Sequence, residues 1–177
     1  AFLANFLPVC EPLLAGNELA YVTEAVSTGW ISSAGKYVKA FEEAFAQYCG
    51  VKHGIAVCNG TVALHLALVA LGVGKGDEVI IPDFTMMASA LAVCYTGAMP
   101  VFVDADADTW NISPAAVAAK ITPRTKVVMP VHIFGNPCDM TALESICADK
   151  DIILMEDAAE AHGAAFGGKR AGALSRI

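Results

Sequence analysis

The sequence predicts an α/β fold: a mainly parallel sheet flanked by helices. Three observations carry that prediction. Short apolar runs alternate with helical segments from about residue 55 to residue 155, the rhythm of repeated β-α-β units. The runs are nearly continuous in apolar residues, as expected of strands covered on both faces. Glycines, prolines and capping residues mark the junctions between them.

Taken in order, residues 17–28 and 36–48 read as amphipathic helices. They are separated by the glycine-bounded loop Gly29-Trp30-Ile31-Ser32-Ser33-Ala34-Gly35. Ile55-Ala56-Val57-Cys58 reads as the first strand. Residues 60–71 form a helix with Leu64, Leu68 and Leu71 on one face, ended by Gly72, Gly74 and Gly76. Glu78-Val79-Ile80-Ile81 is a second strand stopped by Pro82. Residues 85–95 are helical, and Pro100-Val101-Phe102-Val103 is a strand ending at Asp104. Ser113-Pro114 opens a helix in the cap-then-proline order. Lys126-Val127-Val128-Met129 is a strand, and Asp139 opens a helix that reaches about Ala148. Ile152-Ile153-Leu154-Met155 is a strand running into Glu156-Asp157.

The 177 residues suit one domain or a large piece of one. A start at Ala1 and an end in Leu174-Ser175-Arg176-Ile177 read as a piece of a longer protein. The composition, 56% hydrophobic and 16% charged, fits buried strands that lack part of their polar cover. A net charge of −7 argues against nucleic acid. The uncharged run 84–103 approaches the length of a membrane span, but Gly97 and Pro100 break it, so a buried helix, turn and strand is expected there. No basic stretch precedes an apolar one at the start. None of the six cysteines forms a C-x-x-C pair, and a reducing, cytoplasmic setting fits them.

Ligands in open α/β sheets bind beyond the carboxyl ends of the strands. After the first strand stands Asn59-Gly60-Thr61, opening a helix. Its amides and helix dipole suit a phosphate; an ordinary N-cap by Asn59 explains the same residues. After the last strand come Glu156 and Asp157, acids that are costly to bury unless paired. In extended backbone Asp157 and Ala159 face one side, where a carboxylate beside a small residue suits a cationic ring nitrogen. A magnesium site or a solvated turn are the other readings. Phe84 and Met86 follow the second strand, as ring covers or as packing. His132 follows the fourth, more in keeping with a structural than a catalytic histidine. Nucleotide-loop, dinucleotide and serine-elbow motifs are absent.

Five motifs in order resemble the DegT-like family of nucleotide-sugar aminotransferases, enzymes dependent on pyridoxal phosphate (PLP). They are Asn59-Gly60-Thr61-Val62-Ala63-Leu64, Gly76-Asp77-Glu78-Val79-Ile80-Ile81-Pro82, Gly97-Ala98-Met99-Pro100-Val101-Phe102-Val103-Asp104, Pro130-Val131-His132-Ile133-Phe134-Gly135 and Glu156-Asp157-Ala158-Ala159-Glu160-Ala161-His162-Gly163. Within the family, Gly29-Trp30-Ile31-Ser32-Ser33 and Glu160 look most like the GDP-perosamine synthase branch.

The resemblance implies the large domain of a fold type I PLP transferase, incomplete here. Residues 1–35 would be an N-terminal arm and helix, and residues 36–177 the PLP-binding domain truncated at its C-terminal end. It also implies a homodimer, with a nucleotide-linked keto sugar and an amino-acid donor, glutamate, as substrates. Gly60 and Thr61 would hold the cofactor phosphate and Asp157 the pyridine nitrogen. Ala159 would lie against the ring and Glu160 near its hydroxyl. Met86 stands where relatives place an aromatic stacker. The family's Schiff-base lysine falls beyond Ile177, and Lys169 belongs to a different segment, so this stretch supplies no catalytic residue. The alternatives are a sugar dehydratase of the same family, with histidine for that lysine, and a non-catalytic fragment.

Overall fold

Three residues in a row, Val79, Ile80 and Ile81, have no solvent-accessible surface. A strand covered on both faces gives that pattern, and they lie in an interior strand of the sheet. The structure is a computed structural model that describes residue 8 and residues 10–175. The start of the expected arm, residues 1–7 and 9, and residues 176 and 177 lie outside the described residues.

The elements in chain order are α1 (Glu18–Ser27), α2 (Lys36–Cys49), α3 (Gly60–Ala70), β1 (Glu78–Pro82), α4 (Met87–Tyr95), β2 (Met99–Val103), α5 (Pro114–Lys120), β3 (Thr125–Val128), α6 (Met140–Ala148), β4 (Ile153–Leu154), β5 (Ala165–Phe166) and β6 (Lys169–Arg170). A single 3-10 turn, Ile133–Gly135, lies between β3 and α6. The sheet order is β2-β1-β3-β4, and every pairing in it is parallel. β5 and β6 form a small antiparallel hairpin around Gly167-Gly168.

Side chains of β1 alternate between two cores. Val79 and Ile81 pack with Leu64 and Leu68 of α3 and Ala92 and Val93 of α4. Ile80 packs with Val117 of α5 and with Leu143 and Cys147 of α6. Each such aliphatic side chain contributes roughly 1.5–3 kcal/mol of burial. The helix starts are fixed by side chains accepting backbone amides: Asn59 from Val62 at 3.0 Å, Ser113 from Ala116 at 3.4 Å and Asp139 from Ala142 at 3.0 Å. Gly72, at φ +71°, turns the chain after α3 as a left-handed cap.

Two expectations from the sequence fail. Ile55-Ala56-Val57-Cys58 is not a strand. Ile55 is 74% exposed, and the Ala56 amide donates to the Glu42 carboxylate at 2.9 Å. No strand among the described residues lies alongside to complete a ladder. The second failure is full burial of every strand: on β2 Met99 and Phe102 remain exposed, because β2 is at the sheet edge.

The uncharged run 84–103 divides into α4, a turn at Gly97 and β2. Among the described residues no helix is long and apolar enough to cross a membrane. The six cysteines are free; Cys49, Cys138 and Cys147 are buried.

Candidate functional site

The parallel track of β3 and β4 continues past both strands. Val131 bridges Asp157, with the Asp157 amide donating to Pro130 O at 2.9 Å and the His132 amide to Asp157 O at 3.1 Å. This extension carries two acids and a histidine into the interior: His132, Glu156 and Asp157 are all buried.

Glu156 turns to one side and is saturated. Its carboxylate accepts from His132 Nε2 at 3.1 Å and from the amides of Gly172 at 2.9 Å, Leu174 at 2.7 Å and Ser175 at 3.1 Å. The Cys138 amide donates to His132 Nδ1 at 3.1 Å, so the ring proton sits on Nε2 and points at Glu156. Burial alone would raise the Glu156 pKa. The bonds from His132 and the three amides outweigh it and hold the carboxyl below its usual value. His132 is thus a structural histidine that pairs a buried acid.

Asp157 lines a cavity of about 230 Å³, whose wall Glu156 also touches, and has different partners. The Ser89 hydroxyl donates to Asp157 Oδ2 at 3.1 Å and the Ala159 amide to Oδ1 at 3.2 Å. These donors offset burial only in part, and the Asp157 pKa is raised. No ion pair among the described residues involves Asp157. A buried carboxylate short of donors is matched to a cation.

Gly60, Asp157 and Ala159 share the wall of that cavity with Phe45, Tyr48 and His162. A Cβ on Gly60 would meet nothing within 4 Å. The amides of Gly60 and Thr61 make no hydrogen bond within the described residues, since Asn59 takes only those of Val62 and Ala63. Two open amides at the positive end of the 11-residue α3 suit a phosphate. The donor set therefore fits PLP: anion receptors at one end, a carboxylate for the ring nitrogen at the other.

The remaining expected site residues stand outside the cavity wall. Thr61 is half-buried. Met86, 67% exposed, precedes α4. Glu160 is exposed and accepts the Phe134 amide at 2.6 Å. Lys169, to which no catalytic role falls, lies on the exposed hairpin. Ser89, Phe45 and Tyr48 went unread in the sequence. Ser89 had a faint signal, a lone hydroxyl inside the apolar run Met87-Ala88-Ser89-Ala90-Leu91 and four residues after Thr85, whose hydroxyl lies 2.9 Å away.

Residues 12–177 match the DegT/DnrJ/EryC1/StrS aminotransferase family. The chain belongs to that family. It is 54% identical over 168 residues to a GDP-perosamine synthase of Caulobacter vibrioides, covering 95% of this chain and 45% of that protein. Among solved structures, a 3-amino-5-hydroxybenzoic acid synthase superposes with a TM-score of 0.88 at 47% identity, over 93% of this chain and 43% of that one. A sugar aminotransferase from Streptococcus pneumoniae, solved in its PLP form, gives 0.90 at 30% identity, over 96% and 47%. The chain thus spans less than half the length of these relatives.

Proposed function

We propose that the protein to which this chain belongs is a PLP-dependent aminotransferase. It moves an amino group from an amino acid, glutamate, to a keto sugar carried on a nucleotide. The observation that carries the reading is Asp157: a buried carboxylate with a raised pKa, facing a cavity that also holds the open amide end of α3. Membership of the DegT family and the likeness to a GDP-perosamine synthase support the substrate class.

PLP supplies the electron sink for labilising the donor's α-proton. In this reading the Gly60 and Thr61 amides and the Thr61 hydroxyl bind its phosphate. Asp157 keeps the proton on the ring nitrogen, and Ser89 holds that carboxylate in place. Ala159 leaves room for a flat ring, Met86 covers it, and Glu160 approaches the ring hydroxyl. The active protein is a cytoplasmic homodimer, and its lysine nucleophile comes from beyond residue 177.

The test uses the full-length protein. Glutamate should bleach the bound PLP absorbance and a nucleotide-linked keto sugar should restore it. No spectral response to glutamate in a cofactor-loaded preparation would overturn the reading.

A further inference from the structure

Three aromatic rings stand at the carboxyl ends of three neighbouring strands: Phe84 after β1, Trp110 in the loop after β2, and Phe134 in the turn after β3. Phe84 meets both others edge-on, with centroids 5.3 Å from Trp110 and 6.3 Å from Phe134 and interplanar angles of 62° and 66°. None belongs to either core cluster. Trp110 is 60% and Phe134 73% exposed.

Two of the three rings are held at a backbone conformation that bulky residues avoid, with φ +61° at Trp110 and +50° at Phe134. The surroundings enforce it. The buried Asn111 side chain donates to Asn136 O at 3.0 Å and accepts the Ile133 amide at 3.2 Å, stitching the two loops together. The Phe134 amide is tied to Glu160 at 2.6 Å. Strain that the surroundings enforce concentrates at ligand sites, and here it fixes two exposed rings beside Phe84, one of them with its amide held by Glu160.

We propose that this cluster is the surface on which the base of the nucleotide-linked substrate stacks. The inference rests on the nucleotide-sugar reading above and deepens it. Asp83, next to Phe84, and Asp104 and Asp108, in the loop that carries Trp110, are exposed and disfavour a phosphate or the carboxylate of an amino-acid donor. A neutral flat ring is the part of the substrate that fits, and stacking accepts any base because each has a π-face.

Calorimetry on the full-length, PLP-loaded protein tests this with GDP, UDP and base-free ribose 5-phosphate as probes. Trp110→Ala should weaken both nucleoside diphosphates about 5- to 100-fold. Trp110→Phe should retain most of the affinity, and ribose 5-phosphate should be indifferent to either change. Should Trp110→Ala also lower the melting temperature, Phe134→Leu, which removes a ring largely in solvent, carries the same expectation. Wild-type failure to bind GDP or UDP, or unchanged affinity in the variants, would overturn the inference. So would an equal loss for ribose 5-phosphate, or a shift from dimer to monomer as the only effect, which would assign the rings to a second copy of the chain. The glutamate response of the wild-type PLP absorbance is read separately, so failure of the aminotransferase reading is distinguishable from failure of this one.

Discussion

Glu156 and Asp157 are adjacent in sequence and almost equally hidden, 8% and 7% exposed, yet they serve regions built on opposite terms. On the Glu156 side an imidazole and three amides converge on one carboxylate, and its pKa falls. On the Asp157 side one hydroxyl and one amide do the work, the rest is cavity, and the pKa rises. Burial pushes both carboxyls up; at Glu156 four donors outweigh it, whereas at Asp157 two donors do not and the Glu160 charge adds to it. The first region is finished by the chain itself and holds segments 131–138 and 172–175 onto the strand end. The second gives its carboxylate fewer partners, and a strongly perturbed buried acid facing a cavity is the pattern of a candidate functional site; under the proposal above, the ring nitrogen of PLP would be its further partner.

The largest effect should come from the finished side. Glu156→Ala would leave the buried His132 ring and the half-buried amides of Leu174 and Ser175 without their acceptor, at a cost of about 1–3 kcal/mol for each donor that stays shielded from water. Denaturant unfolding of the full-length protein measures it; a loss below about 1 kcal/mol would mean that the network is ornamental. Asp157→Ala should instead reduce turnover by about 10²–10³-fold, as for loss of one preorganised charge partner, while barely altering the stability of the cofactor-free form. Near-normal turnover with an unchanged cofactor spectrum would remove Asp157 from the site.

Titration sharpens the contrast, because the signs are opposite. Asp157 binds its proton more tightly folded than unfolded. Between the ordinary carboxylate value and its raised one, cofactor-free protein should lose stability as pH rises. Glu156 contributes fully above the ordinary value, and its contribution is lost as pH falls through the lowered one. Melting temperature against pH in Asp157→Asn and Glu156→Gln would separate the two. An Asp157→Asn profile identical to wild type would show that the deficit lies elsewhere.

Local signals made the frame legible. Apolar runs gave β1 to β4 in order, and Asn59, Ser113 and Asp139 marked helix starts that their side chains do cap. What depends on partners was not legible. Ile55 to Cys58 has a strand's composition, but a strand also needs a neighbour, and none is present among the described residues. Phe102 reads as core until β2 proves to be an edge. At the site, Asp157 and Gly60 could be read because each follows an apolar run. Ser89, 68 residues from Asp157, and the walls from α2 come from distant sequence that no local pattern connects.

The smallest effects test the other end of the unfinished region, the start of α3. A Cβ at position 60 meets nothing within 4 Å and valine suits a helix better than glycine does, so Gly60→Val should leave folding intact. Its side chain would nonetheless stand where a phosphate must approach the amides, and PLP affinity should fall at least tenfold, about 1.4 kcal/mol. Thr61→Ala removes one hydroxyl and leaves both amides in place. The expected loss is about 0.5–1.5 kcal/mol, perhaps doubled toward a charged phosphate, read as a change in PLP dissociation constant by fluorescence titration. The order matters more than either number. If Thr61→Ala costs more than Gly60→Val, side chains rather than the open backbone hold the anion. Unchanged affinity in Gly60→Val would take the phosphate away from α3 altogether.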